Sequence, residues 1–364
     1  MLLSWFPMSI YLTINHKLHN SVDTCTENLH TKICMEPTIL TNNLTKTFKI
    51  PIPPSNKGIL RACKQLLRPT YQEITAINKI SLEINKGERV AFIGPNGAGK
   101  STTIKILASI LYPTSGAAKV LGLTPWQNRR QLAYGISTVF SQRSQLWYHL
   151  PVSDSFMLLG KIYELNTSKF QQRLNYLVKT FDIHGLLAQT TKSLSLGQRI
   201  RCELVAALLH NPKILFLDEP TIGLDITAKA IVRDLLKNQS FVEATTLLLT
   251  SHDTADMETV CDRVIIINKG EIVFDDTVAA LKTKYIKKKY ISLNIVEPTI
   301  AIQIPGVTIV KAIPHKLNLA VDITQTTIQA VTTAILQKYS VNDLSITDPP
   351  MEEIIKIIYA QTTK

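Results

Sequence analysis

Residues 94–102, GPNGAGKST, carry the spacing G-x-x-x-x-G-K-[ST] at Gly94, Gly99, Lys100 and Ser101. An apolar run, RVAFIG, precedes them, and TTIKILASIL follows before Pro113. Strand, loop and helix in that order are the context in which this pattern cradles phosphate. Gly97 and Gly99 let the backbone curl so that successive N–H groups converge, and the helix start adds its dipole. The cradle runs from Gly94 through Pro95, Asn96, Gly97, Ala98 and Gly99 to Lys100, Ser101 and Thr102. Lys100 suits the β/γ-phosphate oxygens, and the Ser101 hydroxyl suits a Mg²⁺ ion.

A second segment supplies carboxylates. In KILFLDE, residues 213–219, four apolar residues put Asp218 at the C-terminal end of a buried strand, where open α/β sheets bind ligands. Asp218 is expected to hold Mg²⁺ through water, and Glu219 to polarise an attacking water. NKGE at 268–271 lacks the aspartate of a purine-selecting NKxD, so ATP is expected rather than GTP. A third segment, SLSLGQ at 193–198, leads into the helical run RIRCELVAALLH. Ser195, the Gly197 amide and that helix's dipole read as a second anion site. One chain therefore carries two phosphate-binding surfaces.

The elements that must position these residues follow from patterning. RVAFIG, KILFLDE, TTLLLTS (245–251) and RVIIINKGEIVF (263–274) read as buried strands, the last as a strand pair about a Lys-Gly turn. Phe170, Leu174, Leu177, Val178 and Phe181 fall on one helix face. Residues 142–200 thus read as a helical subdomain inside an α/β domain spanning 38–280. Residues 1–37 read as a flexible leader or a mis-assigned start. A lysine-rich linker at 281–290 leads to a C-terminal α+β module at 291–364, with strands at YISLNIV and KLNLAVDI, a helix at TTIQAVTTAILQKY and a closing helix at MEEIIKIIYA.

Composition narrows the class. No apolar run reaches the ~18–20 residues that cross a bilayer. The five cysteines are odd in number and form no CxxC pair, which suggests neither a disulfide framework nor a zinc site and fits a reducing cytosol. The net charge of +12 attracts polyanions, either nucleic acid or an anionic membrane face.

Together the motifs resemble the nucleotide-binding subunit of ATP-binding cassette (ABC) proteins, of the bacterial type whose membrane subunits are separate chains. LSLGQ (194–198) resembles the signature LSGGQ, with Leu196 in place of the first glycine; Ser195, Gly197 and Gln198 align with it. Gln142 stands at the Q-loop position, Asp225 in GLD at the D-loop, and His252 in TSHD at the switch histidine. The resemblance implies an α/β P-loop NTPase of ABC type, with a helical signature subdomain and the C-terminal appendix. It implies that Gln142, with Ser101 and Asp218, attends Mg²⁺, that Glu219, His252 and Gln142 serve catalysis, and that Asp225 lies at a dimer interface. An aromatic residue should stack on adenine: Phe48 in LTKTF fits the first strand of the family, and Tyr71 is the substitute. The signature is implied to face the nucleotide of another copy, so that a homodimer sandwiches two ATP molecules.

Two functions compete. One is the ATPase of a transporter, an exporter by analogy, at the cytoplasmic face of the plasma membrane. It would dock a polytopic permease near Gln142–Phe156, where Leu146, Trp147, Tyr148, Leu150 and Phe156 cluster. The other is a soluble cassette ATPase acting on nucleic acid or ribosomes, which the charge favours. Such proteins carry two ATPase modules or a long coiled coil, and neither is present, so nucleic acid is not the expected partner.

Overall fold

The structure is a computed structural model and describes residues 36–51, 71–141, 143–238, 245–297 and 303–361. The expected leader, except its last two residues, and Gln142 lie outside the described residues, as does most of the stretch 51–71. Residues 37–364 form one compact unit.

The long strands β1 (Ile39–Pro51) and β2 (Tyr71–Ile84) pair antiparallel, and β4 (Ser115–Val120) joins on the other side of β1. A six-stranded sheet carries the chemistry in the order β5-β6-β7-β3-β8-β9. Its strands are β3 (Arg89–Ile93), β5 (Ile136–Phe140), β6 (Ile214–Asp218), β7 (Thr246–Ser251), β8 (Arg263–Asn268) and β9 (Glu271–Thr277). All pairings are parallel except β8 with β9, which turn back at Lys269-Gly270.

Two-sided burial explains the apolar runs of β3, β6, β7 and β8. Val90 and Phe92, Ile214 and Phe216, Leu248, and Ile265 and Ile267 face the core shared with β1, β2 and helix α1 (Lys100–Leu107). Ala91 and Ile93, Leu215 and Leu217, Leu247 and Leu249, and Val264 and Ile266 face the opposite core. A short α2 (Arg129–Ala133) precedes β5.

The second core receives the helical subdomain, α3 (Val152–Ile162), α4 (Thr167–Thr180) and α5 (Leu196–Leu208). Asn166 caps α4 by accepting from Ser168 N and Lys169 N. Its apolar stripe behaves as its spacing requires: Leu177, Val178 and Phe181 are buried, with Phe170 and Leu174 packed against them. Helices α6 (Ile226–Asn238) and α7 (Thr254–Val260) follow β6 and β7, and α8 (Val278–Tyr285) follows β9.

Beyond α8, β10 (Lys288–Ile295), β11 (Val307–Ile313), β12 (Lys316–Asp322) and β13 (Val341–Thr347) form an antiparallel sheet in the order β11-β12-β10-β13. Helix α9 (Ile328–Lys338) buries Val331 and Ile335 among Ile291, Leu293, Leu317 and Leu319 in a separate core. Strands β11 and β13 were not read from the sequence: both are largely exposed edge strands. Helix α10 (Met351–Gln361) departs from its expected place as the closing helix of this module. It buries Met351, Ile354, Ile355 and Ile358 in the α/β core with Met257, Val260 and Leu281, and Glu352 Oε1 accepts a hydrogen bond from Thr254 Oγ1 (2.5 Å). The chain leaves the α/β domain and comes back to complete it.

Candidate functional site

The phosphate loop is shaped by steric necessity. Gly99, with φ near +109°, lies where an added Cβ would collide with the Ala76 carbonyl oxygen, so neither its conformation nor its surroundings admit a side chain. The β8–β9 turn braces the loop, since Gly270 N donates to Ala98 O (3.1 Å) and Asn78 N donates to Gly270 O (2.8 Å). Lys100, the first residue of α1, is buried and curls back over the loop. Its Nζ donates to Gly94 O (2.8 Å) and Pro95 O (3.3 Å) and lies 3.7 Å from Glu219 Oε1.

Asp218 ends β6 and accepts hydrogen bonds on Oδ1 from Ser101 Oγ (2.9 Å) and Thr250 Oγ1 (2.6 Å). A hydroxyl and a carboxylate so placed suit a hard divalent cation, which takes one or two carboxylate or hydroxyl oxygens and leaves the rest to water and phosphate. Among the described residues no group of three His, Cys, Asp or Glu is placed to hold a metal ion. Glu219 adopts φ near +53°, a costly conformation for a side-chain-bearing residue. Its N–H donates to both Thr250 O and Thr250 Oγ1 (3.1 Å each), and these bonds hold it there. Its carboxylate lies between Lys100 and His252, whose Nδ1 is 3.6 Å away. Glu219 can therefore orient a water while a cation and an imidazole steady its charge.

These residues open onto a cavity of about 520 Å³ walled by Phe48, Ser101, Thr102, Asp218 and Glu219. Phe48, on β1, is half-buried, and Lys46 Nζ lies 5.1 Å from its ring centroid. Tyr71 begins β2 opposite Pro51, is exposed, and does not line the cavity. Lys105 and Arg143 also line it and were not singled out from sequence. Lys105 was legible as the residue one helical turn beyond Ser101. Thr250 was not, because its pairing opposite Asp218 depends on β6 and β7 being neighbours.

The loop after β7 is fixed by buried charge. Asp256 is buried and accepts from Thr221 Oγ1 (2.5 Å), Ser251 Oγ (2.6 Å) and Arg233 Nε (2.6 Å). Asp253 pairs with Lys229 (2.8 Å) and Arg233 (2.9 Å). Burial pushes the Asp253 carboxyl up, but the bonds from Lys229 and the Ala255 amide and the charge of Arg233 hold it below its ordinary value. His252 itself stays half-exposed between these anchors and Glu219.

The signature residues lie elsewhere. Ser195 caps α5 in a reciprocal box: its Oγ accepts from Gln198 N (3.3 Å) and Gln198 Oε1 accepts from Ser195 N (2.9 Å). The Ser195 hydroxyl proton remains able to donate to an anion. Gly197 faces Ala228 and Leu196 packs against Gly223, while Asp225 Oδ1 accepts from Ala228 N (2.8 Å). Ser195, Gly197, Gln198 and Asp225 line a separate cavity of about 350 Å³ that shares no residue with the first. The structure thus gathers the phosphate loop, Asp218, Glu219, His252 and Phe48 at one place, and the signature with Asp225 at another.

Residues 77–222 match the family model described as ABC transporter. The chain is 31% identical over 235 residues to the ABC transporter ATP-binding protein NatA of Bacillus subtilis, an alignment covering 65% of this chain and 94% of that one. The chain belongs to the ABC transporter family. It is an ATP-binding subunit that hydrolyses ATP to drive transport, and the alternative of a soluble ATPase on nucleic acid or ribosomes finds no support among its relatives. It is also 30% identical over 209 residues to the Nod factor export ATP-binding protein I of Neorhizobium galegae, covering 57% of this chain and 60% of that one. Among solved structures, a dimeric ATP-binding cassette in a post-hydrolysis state with ADP and Pi superposes with a TM-score of 0.54 at 24% identity, over 66% of this chain and 98% of that one; this likeness bears on the fold alone.

Proposed function

We propose that two copies of this chain stack head-to-tail, each signature face closing over the ATP held by the other's phosphate loop, to drive export through separate membrane subunits. The carrying observation is the separation of the two cavities: a phosphate-binding helix start that shares no lining residue with its own nucleotide pocket is suited to another chain's nucleotide. The relative named for Nod factor export supports the direction of transport.

In this reading Phe48 stacks on adenine, and Lys100 exchanges its contacts with Gly94 O, Pro95 O and Glu219 for phosphate oxygens. Ser101, Asp218 and Gln142 attend Mg²⁺, which supplies charge neutralisation at the β- and γ-phosphates. Glu219, freed from Lys100, orients the attacking water in line with the leaving group. His252 hydrogen-bonds the γ-phosphate across the pocket, and the partner's Ser195 and Gly197 amide stabilise charge on the transferred group.

The permease would dock on the surface after β5. Of the five apolar residues expected there, Leu146, in the loop after β5, and Phe156, on the inner face of α3, are instead buried in the core. Trp147 and Tyr148 remain exposed, as do Met157, Leu158 and Ile162 on α3. Exposed aromatics and aliphatics of this kind make interface anchors. Among the described residues no helix is long and apolar enough to cross a membrane. The chain would sit peripherally at the cytoplasmic face, and its excess positive charge would favour anionic lipid.

The test combines two variants. Glu219→Gln should keep ATP binding, lower turnover by roughly 10²–10⁴-fold as loss of a general base does, and elute as an ATP-dependent dimer. Ser195→Arg introduced into Glu219→Gln should abolish that dimer while the monomer still binds nucleotide. A dimer that survives Ser195→Arg would refute the head-to-tail assembly.

A further inference from the structure

Glu203 is a buried carboxylate on the signature helix, 3% exposed, and none of the motifs accounts for it. It lies eight residues beyond Ser195, about 12 Å along α5 at 1.5 Å per residue. Its oxygens reach across to the loop after β5: Oε1 accepts from Ser144 Oγ in a short hydrogen bond, and Oε2 accepts from Gln145 N at 3.0 Å. Ser144 Oγ also accepts from Leu146 N (3.1 Å), and Gln145 Nε2 donates to Thr138 O (2.5 Å). The loop's other end is tied to the nucleotide pocket, where Ser141 N donates to Asp218 O (3.2 Å). Ser141 is therefore anchored on the strand that ends in Asp218, and Ser144 and Gln145 on the signature helix.

Burial pushes the Glu203 carboxyl up from its ordinary range, while the bonds from Ser144, Gln145 and Leu146 and the charge of Arg199 pull it back. A carboxylate is costly to bury unless its lone pairs are satisfied, and here the satisfying donors all come from one loop. An aliphatic side chain would fill the same helix position without that cost, so the carboxylate specifies a connection rather than adding to the apolar core.

We propose that Glu203 is a positioning residue that couples the loop bearing Gln142 to the signature helix of the same chain, so that nucleotide in one pocket sets the pose of the signature offered to the partner's nucleotide. This rests on the head-to-tail reading above. Any displacement of this loop on nucleotide binding would pass to α5 through the bonds that Ser144 and Gln145 make to Glu203. The rigid helix carries that displacement to Ser195 and Gly197. The two ATP sites of a dimer are thereby linked through each chain as well as across the interface.

The experiment measures ATPase rate against ATP concentration for wild type, Glu203→Gln, Ser144→Ala and the double variant, with nucleotide affinity measured on each monomer. Glu203→Gln keeps the side-chain volume and one acceptor but cannot accept from both donors. Expected results are unchanged monomer affinity, a Hill coefficient falling from above 1 toward 1, and a kcat lowered about tenfold, the size of one coupling energy of 1–2 kcal/mol. The double variant should be no worse than the worse single variant, as for two groups in one connection. A cooperative wild type with equally cooperative, fully active variants overturns the role of Glu203 alone. Additive losses overturn it too, as does a kcat loss that merely tracks lost nucleotide affinity. A wild type that hydrolyses ATP without cooperativity, as a monomer, overturns the head-to-tail reading and this inference with it.

Discussion

Ser101 Oγ and Asp218 Oδ1 meet at 2.9 Å, although 117 residues separate them in the chain. One is the second residue of the helix after the phosphate loop and the other ends β6, and β7 lies between β3 and β6 in the sheet. The loop after β3 must reach across a strand to meet β6, which forms the crevice at the carboxyl ends of the strands where ligands bind. Thr250, at the end of the intervening β7, donates to the same oxygen and completes the arrangement.

Asp218→Asn should weaken Mg²⁺ binding in the presence of ATP by about 10–100-fold, the usual loss when a partner of a metal site is removed. Thr250→Val should give a smaller loss in the same direction, because it removes only the donor that orients Asp218. Titrating ATPase activity with Mg²⁺ at saturating ATP checks both, and an unchanged half-saturation in Asp218→Asn would contradict the metal assignment.

Phe48→Ala should lower ATP affinity by the ~1–3 kcal/mol that one base–aromatic stack contributes, and Tyr71→Ala should leave affinity unchanged. Equilibrium binding of a fluorescent ATP analogue separates the two. A loss with Tyr71→Ala and none with Phe48→Ala would move the adenine to the far end of β1 and β2.

Helix α10 is part of the α/β core and not an ornament of the C-terminal module. Ile354 is 1% exposed within that core, so Ile354→Ala should cost about 2–5 kcal/mol, the range for a buried aliphatic truncation. The transition that shifts should be the one that ATP stabilises. If calorimetry instead shows a separate C-terminal transition moving while the ATP-stabilised one stays put, the helix does not serve the nucleotide-binding core.

Both described cysteines should be inert in the folded chain. Burial, with a smaller contribution from Glu203 against the opposing charge of Arg201, pushes the Cys202 thiol up to about 12, and burial raises Cys261 further. The reactive thiolate is then scarce below pH 10, and raising the pH from 7 to 9 should leave both unalkylated by iodoacetamide. Mass spectrometry after native labelling should find Cys202 and Cys261 modified only once denaturant is added.

Much of the site was legible because its requirements are local. A phosphate loop needs glycines at set positions between a strand and a helix start, and Gly99 shows why: its φ and the Ala76 carbonyl beside it exclude any side chain. A carboxylate after four apolar residues marks the end of a buried strand wherever that strand lies. The helical face Phe170–Phe181 is equally local, being one periodicity within one element. Strands β11 and β13 escaped because most of their side chains are exposed, so neither VTIVKAI nor VNDLSIT keeps a strict apolar–polar alternation along its length. Leu146 and Phe156 were grouped with the docking cluster for a related reason: an apolar residue near a loop reads alike whether it faces a partner or its own core.

The sequence by itself determined the family and its ATP-driven activity and singled out two segments expected to bind phosphate, since each depends on residue types at short, fixed spacing. Tertiary structure decided which residues meet: Phe48 and not Tyr71 beside Ser101, Thr250 on Asp218, Glu203 on Ser144 and Gln145, and α10 in the α/β core, with Glu352 on Thr254, 98 residues earlier. Those pairings depend on strand order and helix packing, which bring together side chains whose separation along the chain carries no periodic or motif signal.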